Sequence, residues 1–225
     1  MKAHTKASQE TITPALALQF LKEGNSRFIN NLKINRNLLE MVNDTRDGQF
    51  PFASILSCSD SRTSAELVFD QGLGDIFSVR LAGNVASQFA VGSLEFACKY
   101  LGSKIIVVLG HTQCGAVKGA CDNFQDGNIT PLLAQITPAV DMETATKEHR
   151  HSKNNDFVHN VMLKNVELQI RNIYALSPTL SQMKMEGKID IVGGIYDVGT
   201  GVVDFLEIGN EVLEGIVREA DFSAV

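Results

Sequence analysis

Two apolar runs constrain this chain more than any other feature. Residues 53–56 and 104–109 each read as a buried strand, and each places a potential metal ligand two residues past its end, Cys58 and His111. Residues just beyond the carboxyl ends of parallel strands converge on the crevice where open α/β sheets bind ligands. Cys58, His111 and Cys114 are therefore expected to meet, although more than fifty residues separate the first from the last. Two thiols and one imidazole form a zinc donor set, and three protein ligands leave a coordination position for water or substrate. That is the pattern of a catalytic site.

The remaining elements alternate between strand and helix. Residues 75–81 read as a second strand, 189–195 as a fourth, and 202–208 as its hairpin partner across residues 197–201. Thr13-Pro14 has the form of a helix start, followed by Leu16, Phe20, Leu21 and Phe28 at helical spacing, with Gly24 a weak point in the middle. A second short helix is expected over 37–43, ended by the Asp47-Gly48 turn. Further helices are read over 64–69, from Ser87 to Tyr100 with Gly102 as the stop, and over 132–150 and 157–174. Ser177-Pro178 opens another that ends near Gly187. Cys114 opens a helix through Val117 and Ala120, where unpaired N–H groups favour a thiolate.

This order predicts an α/β fold: a mostly parallel central sheet of about four parallel strands plus an antiparallel edge strand, flanked by helices. Residues 13–45 form N-terminal helical arms, whose apolar faces must pack outside the sheet or on another subunit. A chain of 225 residues fits one domain, taken here as 1–225, and shows no internal repeat or low-complexity segment.

Charge and composition exclude several classes. A formal net charge of −6 argues against a nucleic-acid partner, and the basic cluster over 147–153 reads as a solvated helix end. No apolar run approaches a membrane span. Residues 1–6 are polar and lack the apolar core of a signal peptide, so cytoplasm is the default, with the periplasm left open to a chain whose leader was removed. Four cysteines in a chain of this length do not make a disulfide framework.

Asp60 and Arg62 lie two and four residues past Cys58, so an extended chain would project all three to one side. A carboxylate this close to zinc can ligate it or accept a hydrogen bond from zinc-bound water, and pairing with Arg62 would hold it in the second role. Zinc lowers the pKa of its water to about 7, which makes hydroxide available to a small electrophile such as CO2. Cys98 and Cys121 read as buried, and a closed structural zinc site with Cys121 as fourth ligand is the competing class. His4, His149, His151 and His159 fall outside any ligand spacing and are expected at the surface.

With Cys58-x-Asp60-x-Arg62 and His111-x-x-Cys114 in place, the chain resembles the β-class carbonic anhydrases from about residue 13 to 208. The resemblance implies zinc on Cys58, His111 and Cys114, Asp60 and Arg62 as the catalytic dyad, and reversible hydration of CO2 to bicarbonate and a proton. It further implies that Gln49 and Phe77 form part of the substrate pocket, with Phe96 where the family has a tyrosine and the Gly115 N–H toward the bound anion. In the family these pocket residues come partly from a neighbouring subunit embraced by the N-terminal helices. A homo-oligomer follows, a dimer or a tetramer. Relatives with the same fold hydrolyse carbonyl sulfide or carbon disulfide, and narrow, apolar access to the zinc would mark one. Some bacterial members hold a regulatory bicarbonate on a Trp, an Arg and a Tyr. Here Arg80 and Tyr196 match, but Ile55 stands at the Trp position and the chain contains no Trp, so the open-site, plant-like subtype is favoured.

Overall fold

Five apolar segments pair into one sheet in the order β2-β1-β3-β4-β5, in a computed structural model that describes residues 3–206, 208, 214 and 215. The strands are β1 (Ala53–Ser57), β2 (Ile76–Arg80), β3 (Ile105–His111), β4 (Asp190–Tyr196) and β5 (Val203–Leu206). β1 runs parallel to β2 and β3, β3 parallel to β4, and only the β4–β5 pair is antiparallel. This is the expected architecture. The hairpin strand expected over 202–208 is seen as β5, with residue 207 outside the described residues. The single domain taken as 1–225 likewise includes residues 1, 2, 209–213 and 216–225, which lie outside them.

β1 and β3 are buried along their whole length because helices cover both faces of the sheet. One face packs Ile55, Ile105, Val107 and Leu109 against α2 (Pro14–Ile29), the long helix of the N-terminal arm that also contains α1 (Lys6–Glu10) and α3 (Leu38–Asp44). α4 (Ala65–Val68) closes that layer. The other face packs Leu56, Ile106, Val108 and Ile191 against α5 (Gln88–Glu95), α6 (Gly115–Cys121), α7 (Ile129–Leu133), α8 (Thr137–Met142), α9 (Asn155–Leu176) and α10 (Pro178–Met185). Alternate residues of one strand serve opposite cores, as a pleat of period two requires. None of the helices is long and apolar enough to cross a membrane among the described residues.

Capping sets the helix starts. The Thr13, Asn37, Ser87, Asn154 and Ser177 side chains each accept a hydrogen bond from the first turn of the helix that follows. Gly24 does not weaken α2. A Cβ there would stand 1.8 Å from the carbonyl oxygen of Phe69, so its missing side chain is what lets α2 lie against the end of α4.

The continuous helix expected over 132–150 is broken. Pro138 cannot donate to a preceding turn, so α8 starts anew around it. Beyond Met142 the chain leaves helical geometry because Arg150 captures the carbonyls of Val140, Glu143 and Thr146 at 2.7–2.8 Å and pairs with the Glu143 carboxylate at 2.6 Å. The basic cluster over 147–153 accordingly lies in the loop before α9, not at a helix end. The helix from Ser87 also changes character, passing at Phe96–Tyr100 into a π-helical turn before Gly102 stops it with φ +82°. His4 is half-buried rather than surface-facing, edge-on to Phe52 at 5.6 Å between ring centroids.

Candidate metal centre

β1 and β3 are adjacent and parallel, so the loop after β1 and the last residue of β3 arrive at the same end of the sheet. There Cys58, His111 and Cys114 are all buried, and one ligand atom from each lies within 4.8 Å of the others. The two sulfurs are 4.0 Å apart. Two thiolates on a tetrahedral zinc, each about 2.3 Å from the metal, would be separated by about 3.8 Å.

His111 shows which of its nitrogens is free. Nδ1 lies 2.9 Å from the Thr112 carbonyl, which can only accept, so Nδ1 carries the hydrogen. Nε2 keeps its lone pair and is buried without a partner. A metal ligand whose other nitrogen donates to a carbonyl is the standard orientation for imidazole. The Cys58 thiol is pulled down to about 4, chiefly by hydrogen bonding from Cys114 against burial, with help from the Gly83 N–H. That same contact pushes the Cys114 thiol up, because two neighbouring thiolates repel each other. A divalent cation supplies the missing compensation. The donor set fits zinc.

The loop after β1 is a turn rather than an extended strand. The Thr63 N–H donates to the Asp60 carbonyl at 3.1 Å, and the Arg62 N–H to Asp60 Oδ1 at 3.0 Å. The turn brings the Arg62 side chain back onto Asp60 in a bidentate pair, Nε to Oδ1 at 2.9 Å and Nη2 to Oδ2 at 2.8 Å. Hydrogen bonds from Arg62 therefore hold the Asp60 carboxyl well below the usual carboxylate range. Among the described residues, the metal-ligating cluster contains Cys58, His111 and Cys114 but not Asp60.

Arg80 steadies the same loop from the end of β2, donating to the Cys58 carbonyl at 3.1 Å and the Asp60 carbonyl at 2.6 Å. Its role is thus backbone support for the ligand loop. Ile55 is fully buried in the α2-side core, and Tyr196 ends β4 opposite His111.

Gly115 is the first residue of α6, next to Cys114, with open space where a side chain would be. The other expected pocket residues do not reach the metal ligands of their own chain. Gln49 is exposed in a surface cleft with Thr45, Leu73 and Gly74. Phe77 and Phe96 stand 6.4 Å apart between ring centroids in a second groove, with Phe89 and Leu176. A cleft of about 280 Å³ does open beside His111 and Cys114, and His159 lines it from α9 together with Thr112, Gln113, Asn155 and Asp156. Sequence spacing could not reveal that, because α9 reaches the site only through packing.

Cys98 and Cys121 are buried as expected, and burial pushes their thiols up to about 12 and about 11. Neither joins the cluster. Cys121→Ser should therefore leave zinc stoichiometry and activity nearly intact, measured by metal analysis and CO2 hydration on one preparation. Loss of zinc in that variant would restore the closed, four-ligand reading.

A mostly parallel α/β sheet carrying a two-cysteine, one-histidine cluster at its strand ends, with a salt-bridged carboxylate beside it, defines an α/β protein with a candidate metal centre. The carbonic anhydrase family model matches residues 53–203. Carbonic anhydrase 2 of Mycobacterium tuberculosis is 34% identical over 84% of this chain and 90% of its own length. The solved β-carbonic anhydrase CafA of Aspergillus fumigatus superposes with a TM-score of 0.67 at 25% identity, covering 91% of this chain and 97% of that one. One of two tetrameric β-carbonic anhydrases from Sordaria macrospora gives 0.62 at 25% identity, covering 72% and 83%. The chain belongs to the carbonic anhydrase family, in its β class.

Proposed function

We propose that Cys58, His111 and Cys114 hold a catalytic zinc and that Asp60 and Arg62 serve the reversible hydration of CO2 to bicarbonate and a proton, the reaction of this carbonic anhydrase. The observation that carries the site assignment is the orphaned, buried Nε2 of His111, in a cluster whose two sulfurs are only 4.0 Å apart. Zinc bound there supplies Lewis acidity, making water a nucleophile at neutral pH. With zinc bound there, Asp60, ionised and fixed by Arg62, would accept a hydrogen bond from the attacking water and orient it toward the carbon of CO2. Arg80 and Thr63, both bonded to the Cys58 and Asp60 carbonyls, keep the carboxylate and the Cys58 ligand in one rigid loop. The Gly115 N–H, in the first turn of α6, would receive the product anion.

Hydrolysis of carbonyl sulfide or carbon disulfide is the alternative activity, because the cleft beside the ligands carries apolar Val117, Val158 and Met162 as well as polar Thr112, Gln113, Asn155, Asp156 and His159. Zinc content measured together with hydration rates for CO2 and hydrolysis rates for carbon disulfide tests the assignment. Zinc at one ion per chain with fast CO2 turnover supports it, whereas zinc without turnover would make the site structural.

The active form is read as a homodimer or a homotetramer. The arm exposes Leu32, Leu38 and Leu39, the groove with Phe77 and Phe96 exposes Phe89 at 86%, and Tyr100 beside Phe96 is 69% exposed. Such apolar surface is costly to leave in water. Gln49, Phe77 and Phe96 would then reach a neighbour's zinc. Removing residues before Asn37 should abolish assembly and activity together, read by light scattering and turnover. A stable monomer with full activity would show that the pocket is complete within one chain.

An open resting site is the further reading, since Ile55 cannot donate a hydrogen bond to a bicarbonate and Arg80 is committed to the ligand loop. Without that donor a buried anion loses about 1.5–3 kcal/mol. Bicarbonate should therefore inhibit weakly and without cooperativity near neutral pH. Steep sigmoidal inhibition would place the protein with the regulated members.

A further inference from the structure

The sulfur of Cys58 accepts a backbone hydrogen bond from Gly83, at 3.3 Å. That donor sits in an unusual turn. Gly83 has φ +67° and Asn84 φ +47°, two successive left-handed residues, and a Cβ on Gly83 would lie 2.4 Å from Ile136 Cδ1. A backbone of this kind persists only where its surroundings fix it.

What fixes it is an amide pair on α9. Asn165 Nδ2 donates to the Gly83 carbonyl at 2.9 Å, and the Ala86 N–H donates to Gln169 Oε1 at 2.9 Å. The two side chains are joined by Gln169 Nε2 donating to Asn165 Oδ1 at 2.8 Å. Asn165 is 1% exposed and Gln169 fully buried. Buried amides that only satisfied each other could give way to apolar residues of the same shape at little cost. What this pair uniquely supplies is two fixed points, three residues apart, on the turn whose N–H faces the Cys58 sulfur.

We propose that Asn165 and Gln169 are positioning residues of the metal centre, holding the Gly83 N–H on the Cys58 sulfur and so setting that ligand's orientation and donor strength. This rests on the reading that Cys58, His111 and Cys114 bind the metal. An N–H bond to a thiolate withdraws charge that the sulfur would otherwise give to the ion, and outer partners of this kind set both affinity and ligand electronics.

Cobalt(II)-substituted protein tests it, because the thiolate-to-cobalt absorption reports charge on sulfur directly. Asn165→Leu and Gln169→Leu should each move that band to longer wavelength and speed zinc loss to a chelator by about ten- to a hundredfold. Asn25→Leu is the control. Asn25 is an equally buried amide that ties α2 to the Val68 and Gly201 carbonyls, away from the metal, so it should lower the melting temperature and leave band and zinc retention unchanged. If one α9 variant fails to fold, the other still decides. Unmoved bands and wild-type zinc retention in the folded α9 variants would overturn the inference, as would equal shifts in Asn25→Leu. Wild-type protein without any thiolate-to-cobalt band would instead remove the metal assignment itself.

Discussion

Arg62→Ala is expected to retain its zinc and to lose CO2 hydration by about a hundredfold or more, the usual cost of removing one preorganised polar group from a reaction centre. The three expected ligands are untouched by the substitution, and Arg80 and Thr63 still hold the loop carbonyls. Only the carboxylate is released. Among the described residues, Arg62 supplies both side-chain hydrogen bonds that the Asp60 carboxylate accepts, at 2.8 and 2.9 Å, and only the backbone N–H of residue 62 at 3.0 Å would remain. Freed of them, and only two residues from Cys58, the carboxylate can swing onto the metal and take the position that water needs. Arg62→Lys should fall between, since an ammonium cannot bind both carboxylate oxygens in a fork. Metal analysis, turnover and a crystal structure of Arg62→Ala decide the matter. Normal turnover with Asp60 still turned from the zinc would show that Arg62 is not what holds it.

Asp70→Asn is the second large effect, and it acts on stability. Asp70 is buried and accepts from Arg27 Nε at 2.6 Å, Arg36 Nη1 at 2.7 Å and the Ile34 N–H at 3.3 Å, so one carboxylate ties α2 and the approach to α3 onto the end of α4. Its φ of +43° is tolerated by Asn, so the substitution removes the charge and one acceptor oxygen without straining the backbone. Breaking a buried pair leaves uncompensated charge, here on Arg36 with a side chain only 6% exposed. The expected loss is about 3 kcal/mol or more, a drop of roughly 6–12 °C in melting temperature. Burial raises the Asp70 carboxyl, but Arg27 and Arg36 outweigh it and the net shift is downward. A depressed carboxylate contributes its stability fully above its unfolded pKa of about 3.9 and loses it as pH falls further. The gap between wild type and Asp70→Asn should therefore be full at neutral pH and close on acidification below about pH 4. A gap that persisted there would mean that shape rather than charge is responsible.

Much of the site was written locally. Cys58 and His111 could be placed because each follows a short run that reads as a buried strand, and a parallel sheet brings such strand ends together whatever the loops between them do. Thr13-Pro14, Asn37 and Ser177-Pro178 announced helix starts because a cap bonds within its own first turn. The Asp60–Arg62 pair was legible for the same reason, since its partners are two residues apart, although a turn rather than an extended chain brings them together.

Tertiary structure alone decided the rest. Gly24 read as a weakness until α2 met the Phe69 carbonyl, and the helix expected over 132–150 broke because Arg150 collects carbonyls up to ten residues back. The support of the Cys58 ligand comes from Arg80, twenty-two residues on, while Asn165 and Gln169 reach its hydrogen-bond donor from more than eighty residues beyond that donor's turn. Periodicity and capping are properties of neighbours in the chain and can be read from it. A hydrogen bond between distant segments depends on how close their backbones come after packing, and no local pattern of residue types records that distance.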